Sequence, residues 1–268
     1  MKTIINKTYQ SFRRAYWKVR GFRNLLLLGQ SLKLDFSSNI LLSWKDLLLK
    51  GNWKKNIVNH ADNMQMYSLC ETVNKSQEHT VIVDIGAYHG IYAILLGSLI
   101  KEKKGKVLAI EPIPSNSDIL RKNVHLNKLE DVVIIEETAV GINSGTVKMS
   151  YDDSESVLSN NPADQLYVPI ARLDDLLEKN NLDHVDVLII DVEGAELLVL
   201  QSFPWDKMAV PYIMCEMHPY NWKTFGYSGK DLIEFLKQHH LKCIDMYFQV
   251  YTEFTGLDYI GPCFLLPV

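Results

Sequence analysis

The residues with the most chemistry in them stand where short apolar runs end. Val81-Ile82-Val83 leads into Asp84-Ile85-Gly86-Ala87-Tyr88-His89-Gly90, where the glycines permit a tight turn and the helix start behind them offers free amides. A dinucleotide fingerprint needs glycine two positions after Gly86; Tyr88 stands there, so the turn points to a smaller nucleoside ligand. Glu111 closes the next run, 25 positions after Gly86, and is placed to accept hydrogen bonds from both hydroxyls of a ribose. Its alternative reading is an acid favouring the positive start of a helix near Ser115. Pro112 follows and breaks the run. Thr138 and Ala139 end a third, and a small residue there leaves room for an adenine ring.

Further on, Asp191-Val192-Glu193-Gly194-Ala195-Glu196 gathers three carboxylates at one strand-to-helix junction. Such a cluster costs free energy unless it is hydrated, paired with cations or used. Asp191 is placed to meet a ligand's amino group or a substrate, and Glu193 to help bind a metal or a polar substrate. Glu196 reads as an acid that favours the following helix N-terminus. A fifth run ends in Glu216-Met217-His218-Pro219, and residues two apart on an extended strand point to one side and can share a site.

Those positions require a frame of alternating strands and helices, in which ligands sit beyond the carboxyl ends of parallel strands. The spacing predicts strands at 81–85, 106–110, 132–135, 185–190, 212–217 and 243–247. A seventh apolar run covers 259–266, although Pro262 disfavours a central paired position at that residue. Helices are predicted at 91–100, 115–127 with Ser115 as N-cap, 173–179, 195–202 and 230–239. The result is an α/β, seven-stranded doubly wound sheet spanning 80–268. Its one departure from alternation is an insertion at 141–170, with a short strand at 145–149 and a polar loop at 151–162, expected to lie over the site. Residues 1–79 read as a mainly helical cap or dimerisation segment, with helical spacing at 41–49 and a basic start, from Lys2 to Arg23, that is read as a solvated face.

With 268 residues the chain can bury one good core. A net charge of −4 gives no bulk attraction to nucleic acid, and none is expected as a partner. Cys70, Cys215, Cys243 and Cys263 lack the close spacing of zinc or redox sites, so they read as buried thiols in a reducing cytoplasm. No apolar run approaches the ~20 residues that span a bilayer, and no signal-peptide order is seen.

Taken in order, Asp-Ile-Gly-Ala with Gly90, Glu111-Pro112, residues 120–127, Ala139-Val140-Gly141, Leu173-Asp174-Asp175-Leu176-Leu177, Asp191-Val192-Glu193-Gly194-Ala195-Glu196 and Glu216-Met217-His218 resemble the motifs of FkbM-type methyltransferases. The resemblance covers about residues 80–222, and the Asp-Val-Glu-Gly-Ala-Glu block is its most specific part. It implies a Rossmann-like class I methyltransferase fold, S-adenosylmethionine as methyl donor, and O-methylation of a sugar or natural-product hydroxyl. Two departures stand out. Family members commonly carry asparagine where Tyr88 stands and lysine where Ile189 stands, which removes a polar contact near the cofactor and a charge beside the acidic cluster.

On this reading Asp84, Gly86, Ala87, Tyr88, Gly90, Glu111, Pro112, Thr138, Ala139 and Asp191 bind the cofactor. His218, with the near-neutral pKa usual for histidine, serves as general base, Glu216 orients its ring and Asp191 lies nearby. His89 is a lesser candidate for the cofactor carboxylate. Metal-free catalysis is the expectation; the variant has Asp191, Glu216 and His218 holding a divalent ion. A small-molecule or carbohydrate acceptor is expected, and a homo-oligomer could form through the N-terminal segment. The competing class is a non-catalytic cofactor-binding or scaffold member of the fold, favoured by Tyr88 and Ile189. A nicotinamide-dependent oxidoreductase is disfavoured by Tyr88.

Overall fold

The structure, a computed structural model, describes residues 32–35, 41–43, 61–152, 155–157, 165–246, 248–257 and 259–268. Its centre is a sheet whose inner strands are mostly apolar, as burial on both faces requires, with Asp84 and Glu216 near two carboxyl ends as exceptions. Five strands run parallel: β3 (Val81–Ile85), β4 (Lys106–Ile110), β5 (Val133–Glu136), β10 (Val187–Ile190) and β11 (Tyr212–Met217). β14 (Gly261–Pro267) lies antiparallel between β11 and β12 (Leu241–Asp245). The seven expected strands are thus present, and the two-residue β13 (Val250–Tyr251) extends the order to β13-β12-β14-β11-β10-β3-β4-β5.

The two-residue period of each strand sends alternate side chains into two cores. Ile82, Val107, Ala109, Val187, Ile189 and Met214 pack with residues of α1 (Ala61–Asn74), α2 (Ile91–Ile100) and α3 (Pro114–Leu126). Val83, Ile85, Leu108, Leu188, Ile190 and Ile213 pack with α4 (Leu173–Lys179), α5 (Glu196–Ser202) and α6 (Gly229–Gln238). Strand order reverses between β3 and β10, which makes their carboxyl ends the switch point where a ligand crevice opens.

Several local expectations are corrected. Ser115 is not the N-cap of α3, because Pro114 takes the first helical turn with its preset φ and Ile113 becomes the boundary residue. Pro262 does enter a central strand, opposite Glu216. The first β12 pair falls at Cys263, one residue later, so only one flank of the proline faces a ladder. The expected polar loop at 151–162 is partly sheet. β7 (Gly145–Asp152) pairs with β8 (Glu155–Val157) and β9 (Gln165–Ala171), and β6 (Ala139–Val140) pairs with β9.

In the N-terminal segment, Leu41–Ser43 is a strand, β2, antiparallel to β1 (Lys33–Asp35), where helical spacing was predicted. The rest of the predicted 41–49 helix and the basic start lie outside the described residues. All four cysteines are buried free thiols. Among the described residues no helix is long and apolar enough to cross a membrane.

Candidate functional site

The crevice is built first by backbone proximity. Gly86 has φ +82°, and a Cβ placed on it would lie 1.7 Å from the carbonyl oxygen of Asp191, so the turn after β3 rests directly on the end of β10. Only glycine allows both the left-handed conformation and this approach. Gly90, at φ +88°, admits Leu120 where a side chain would stand. The turn is tied to β4 by Gly86 and Ala87, whose N–H groups both donate to the Ile110 carbonyl.

Tyr88 adopts φ 49°, a region that bulky residues avoid and asparagine tolerates, and its ring stacks on His89 with centroids 3.7 Å apart. Its N–H donates to Glu111 Oε2 at 2.9 Å. Glu111 Oε1 accepts from Ile113 N at 3.0 Å and Asn116 Nδ2 at 3.1 Å. Burial raises the Glu111 pKa, and those three donors oppose the rise. Of roughly four acceptor positions on a carboxylate, three are taken among the described residues, which leaves one on Oε2. Asn116 Oδ1, on the amide that binds Oε1, is buried without a partner among the described residues. It was not foreseen from sequence, where it reads as an ordinary polar residue in the first turn of a helix.

Asp84 is buried, and its Oδ2 has no partner among the described residues. Burial pushes its carboxyl up to about 7; the Ala93 backbone N–H only partly opposes this, and the Glu111 charge adds to it. Ile189 is its neighbour in register on β10 and shares its face of the sheet. The cation absent at position 189 is therefore missing from the side of Asp84 rather than from the later acidic cluster. Thr138 and Ala139 do not end β5, which stops at Glu136; Thr138 is buried and donates to the Ala139 carbonyl, and Ala139 begins β6. Pro112 is half-buried directly after Glu111.

The second half of the crevice centres on His218, only 2% exposed. Its Nδ1 donates to Glu196 Oε1 at 2.7 Å, since a carboxylate oxygen only accepts. Glu196, not Glu216, therefore fixes the ring. Fully buried Glu196 also receives Gly194 N at 2.9 Å, Trp222 Nε1 at 2.8 Å and the Tyr227 hydroxyl at 2.9 Å. Glu196 does stand in the first turn of α5, as expected, but three more partners come from residues 22 to 31 positions further on. No local pattern announces such contacts.

His218 Nε2 faces Glu193 Oε2 at 3.5 Å, Glu216 Oε1 at 3.8 Å and Asp191 Oδ1 at 4.0 Å. Burial lowers its pKa, but the Glu196 hydrogen bond and the charges of Glu196, Glu193 and Asp191 outweigh burial and raise it to about 9. The expected near-neutral base is thus an imidazolium at neutral pH. Asp191 keeps 36% of its side chain accessible. Even so, enclosure in the cleft and the neighbouring Glu216 charge raise its pKa well above the carboxylate range. Two half-exposed tyrosines flank the imidazole, each with its ring centroid 5.8 Å away: Tyr220, which donates to Glu193 Oε2 at 2.6 Å, and Tyr259, which donates to Glu216 Oε1.

Comparison with known proteins identifies the family of the chain. Residues 84–242 match the family described as the methyltransferase FkbM domain. Methyltransferase sdnD of Sordaria araneosa is 26% identical over 167 residues, which cover 50% of this chain and 64% of the relative, so the match spans less than two thirds of that protein. The hexuronic acid methyltransferase AglP of Haloferax volcanii is 24% identical over 190 residues, covering 69% of this chain and 70% of the relative. Among solved structures, the methyltransferase FkbM of Methylobacillus flagellatus is similar with a TM-score of 0.45 at 15% identity, covering 92% of this chain and 58% of that one. The family match takes in more than half of the sequence, and the chain belongs to the FkbM methyltransferase family.

Proposed function

We propose that this protein is an S-adenosylmethionine-dependent O-methyltransferase acting on a polyhydroxylated acceptor, a sugar or a hydroxyl-bearing natural product. The observation that carries the reading is the contact of the Gly86 turn with Asp191, which sets a nucleoside cradle against a carboxylate–imidazole centre. The residues present fit the cofactor. The spare position on Glu111 Oε2 and the orphaned Asn116 Oδ1 offer acceptors to two ribose hydroxyls, and the buried carboxyl of Asp84 suits a cationic ligand. When bound there, the cofactor would supply an electrophilic methyl group for transfer to an acceptor oxygen, with a neutral thioether as the leaving group.

The chain's own residues do the rest. Asp191, at the junction, aligns the acceptor behind the methyl group. Tyr220 and Tyr259 offer ring faces on which the C–H side of a sugar can stack, and Glu193 and Glu216 accept from its hydroxyls. His218, holding its proton at neutral pH, is not the base; Glu216, on the tyrosine side of the imidazole, takes the acceptor's proton. The name of the relative AglP, a hexuronic acid methyltransferase, supports a sugar acceptor. Calorimetry with S-adenosylmethionine checks the first step, with one bound equivalent expected; absence of binding overturns the reading. Transfer of labelled methyl to a panel of sugars and glycosides checks the second, and binding without any transfer would remove the O-methylation assignment.

A further inference from the structure

We propose that Asp191, Glu193 and His218 hold a divalent cation of the magnesium–manganese class, which binds the acceptor hydroxyl; this rests on the function proposed above. The three residues offer one ligand atom each, all within 4.8 Å of one another, so a common ion requires a contraction of only a few tenths of an ångström. Carboxylates alone would not make a site. The second observation is His218, a buried side chain aimed into the cluster. Among the described residues its Nε2 makes no hydrogen bond: the facing carboxylate oxygens lie at 3.5, 3.8 and 4.0 Å, beyond the usual ~2.7–3.2 Å.

On taking the ion, Nε2 releases to solvent the proton it holds in the metal-free protein, and the other ring nitrogen is committed. A histidine that ligates a metal through one nitrogen characteristically donates the other N–H to a carboxylate, and Nδ1 donates to fully buried Glu196. Glu196 is in turn fixed by Gly194 N, Trp222 and Tyr227. The ligands come from a turn and a strand end, and two further positions fix the turn. Glu193 sits at φ 50°, and Gly194 at φ 114°, where a Cβ would stand 2.7 Å from Asn221 Cβ. Asn221 Nδ2 donates to the Glu193 carbonyl at 2.6 Å. Two carboxylates with one imidazole favour a hard cation such as Mn2+ over a soft one. A hydroxyl bound to that ion loses its proton more readily; the O–H bond breaks, the oxygen stays on the ion, and the proton passes to Glu216.

The test is binding of Mn2+ itself. The full chain, stripped with a chelator and dialysed, is titrated with MnCl2 while the free-ion signal is followed by electron paramagnetic resonance. One site is expected in the unsubstituted protein. Asp191→Asn and Glu193→Gln should each weaken it by about tenfold or more. Glu216→Gln should change it by less than about threefold, circular dichroism confirming the fold of each variant. No binding by the unsubstituted chain at millimolar Mn2+, or binding that neither substitution weakens, overturns the proposal and leaves an imidazolium caged by carboxylates. Calorimetry with S-adenosylmethionine on the same samples separates the two readings. Cofactor binding without Mn2+ binding sinks the metal alone, and Mn2+ binding without cofactor binding sinks the methyltransferase reading.

Discussion

At the scale of single residues, the most informative group is Asp84, a carboxyl in an apolar face with Ile189 beside it in register. In the unfolded chain it loses its proton near its ordinary value of 3.8, whereas the folded protein holds the proton to about 7. The folded state binds more protons across that window, so this group's contribution to stability falls as pH rises from about 4 to about 7. Urea unfolding at pH 5 and pH 7.5 should show the fall, and Ile189→Lys, which places an ammonium next to the carboxylate, should flatten it. Glu196 gives a second expectation. Glu196→Ala strands the Trp222 indole N–H and the His218 Nδ1–H inside the core, and should cost roughly 3–5 kcal/mol by chemical denaturation. Position in the sequence nominates Asp84, Glu111 and His218, because each stands at or just beyond the carboxyl end of a strand. Glu196 and Asn116 escaped it, since their roles depend on partners that only the folded chain brings near.

At the scale of elements, strands and helices were legible wherever burial is two-sided or the apolar stripe is long. The limits at 81–85, 91–100, 106–110, 173–179 and 212–217 agree with the structure. Boundaries set by competition between neighbours were not legible, as Pro114 displacing Ser115 at the start of α3 shows. The contrast can be measured. Ser228, which forms a capping box with Asp231 at the start of α6, should cost ~1 kcal/mol when replaced by alanine, while Ser115→Ala should stay within about 0.5 kcal/mol. Gly86→Ala would drive a methyl group into the Asp191 carbonyl from a left-handed backbone. Thermal denaturation should report a loss above about 3 kcal/mol, together with loss of cofactor binding.

For the molecule as a whole, the crevice draws on segments far apart in sequence. The Gly86 turn meets Asp191 across 105 positions, and Tyr259 reaches Glu216 across 43. That assembly follows from the strand order, which returns the last strand, β14, to the interior between β11 and β12. This return has a consequence for how the protein comes to exist. Synthesis proceeds from the amino end, so β11 and β12 are made before the strand that separates them, and each has an unpaired edge until residues 261–267 emerge. Such open edges invite pairing with other chains. A nascent chain stopped at residue 257 therefore lacks Tyr259 and keeps those edges open at once, and it should be prone to aggregation rather than partly active.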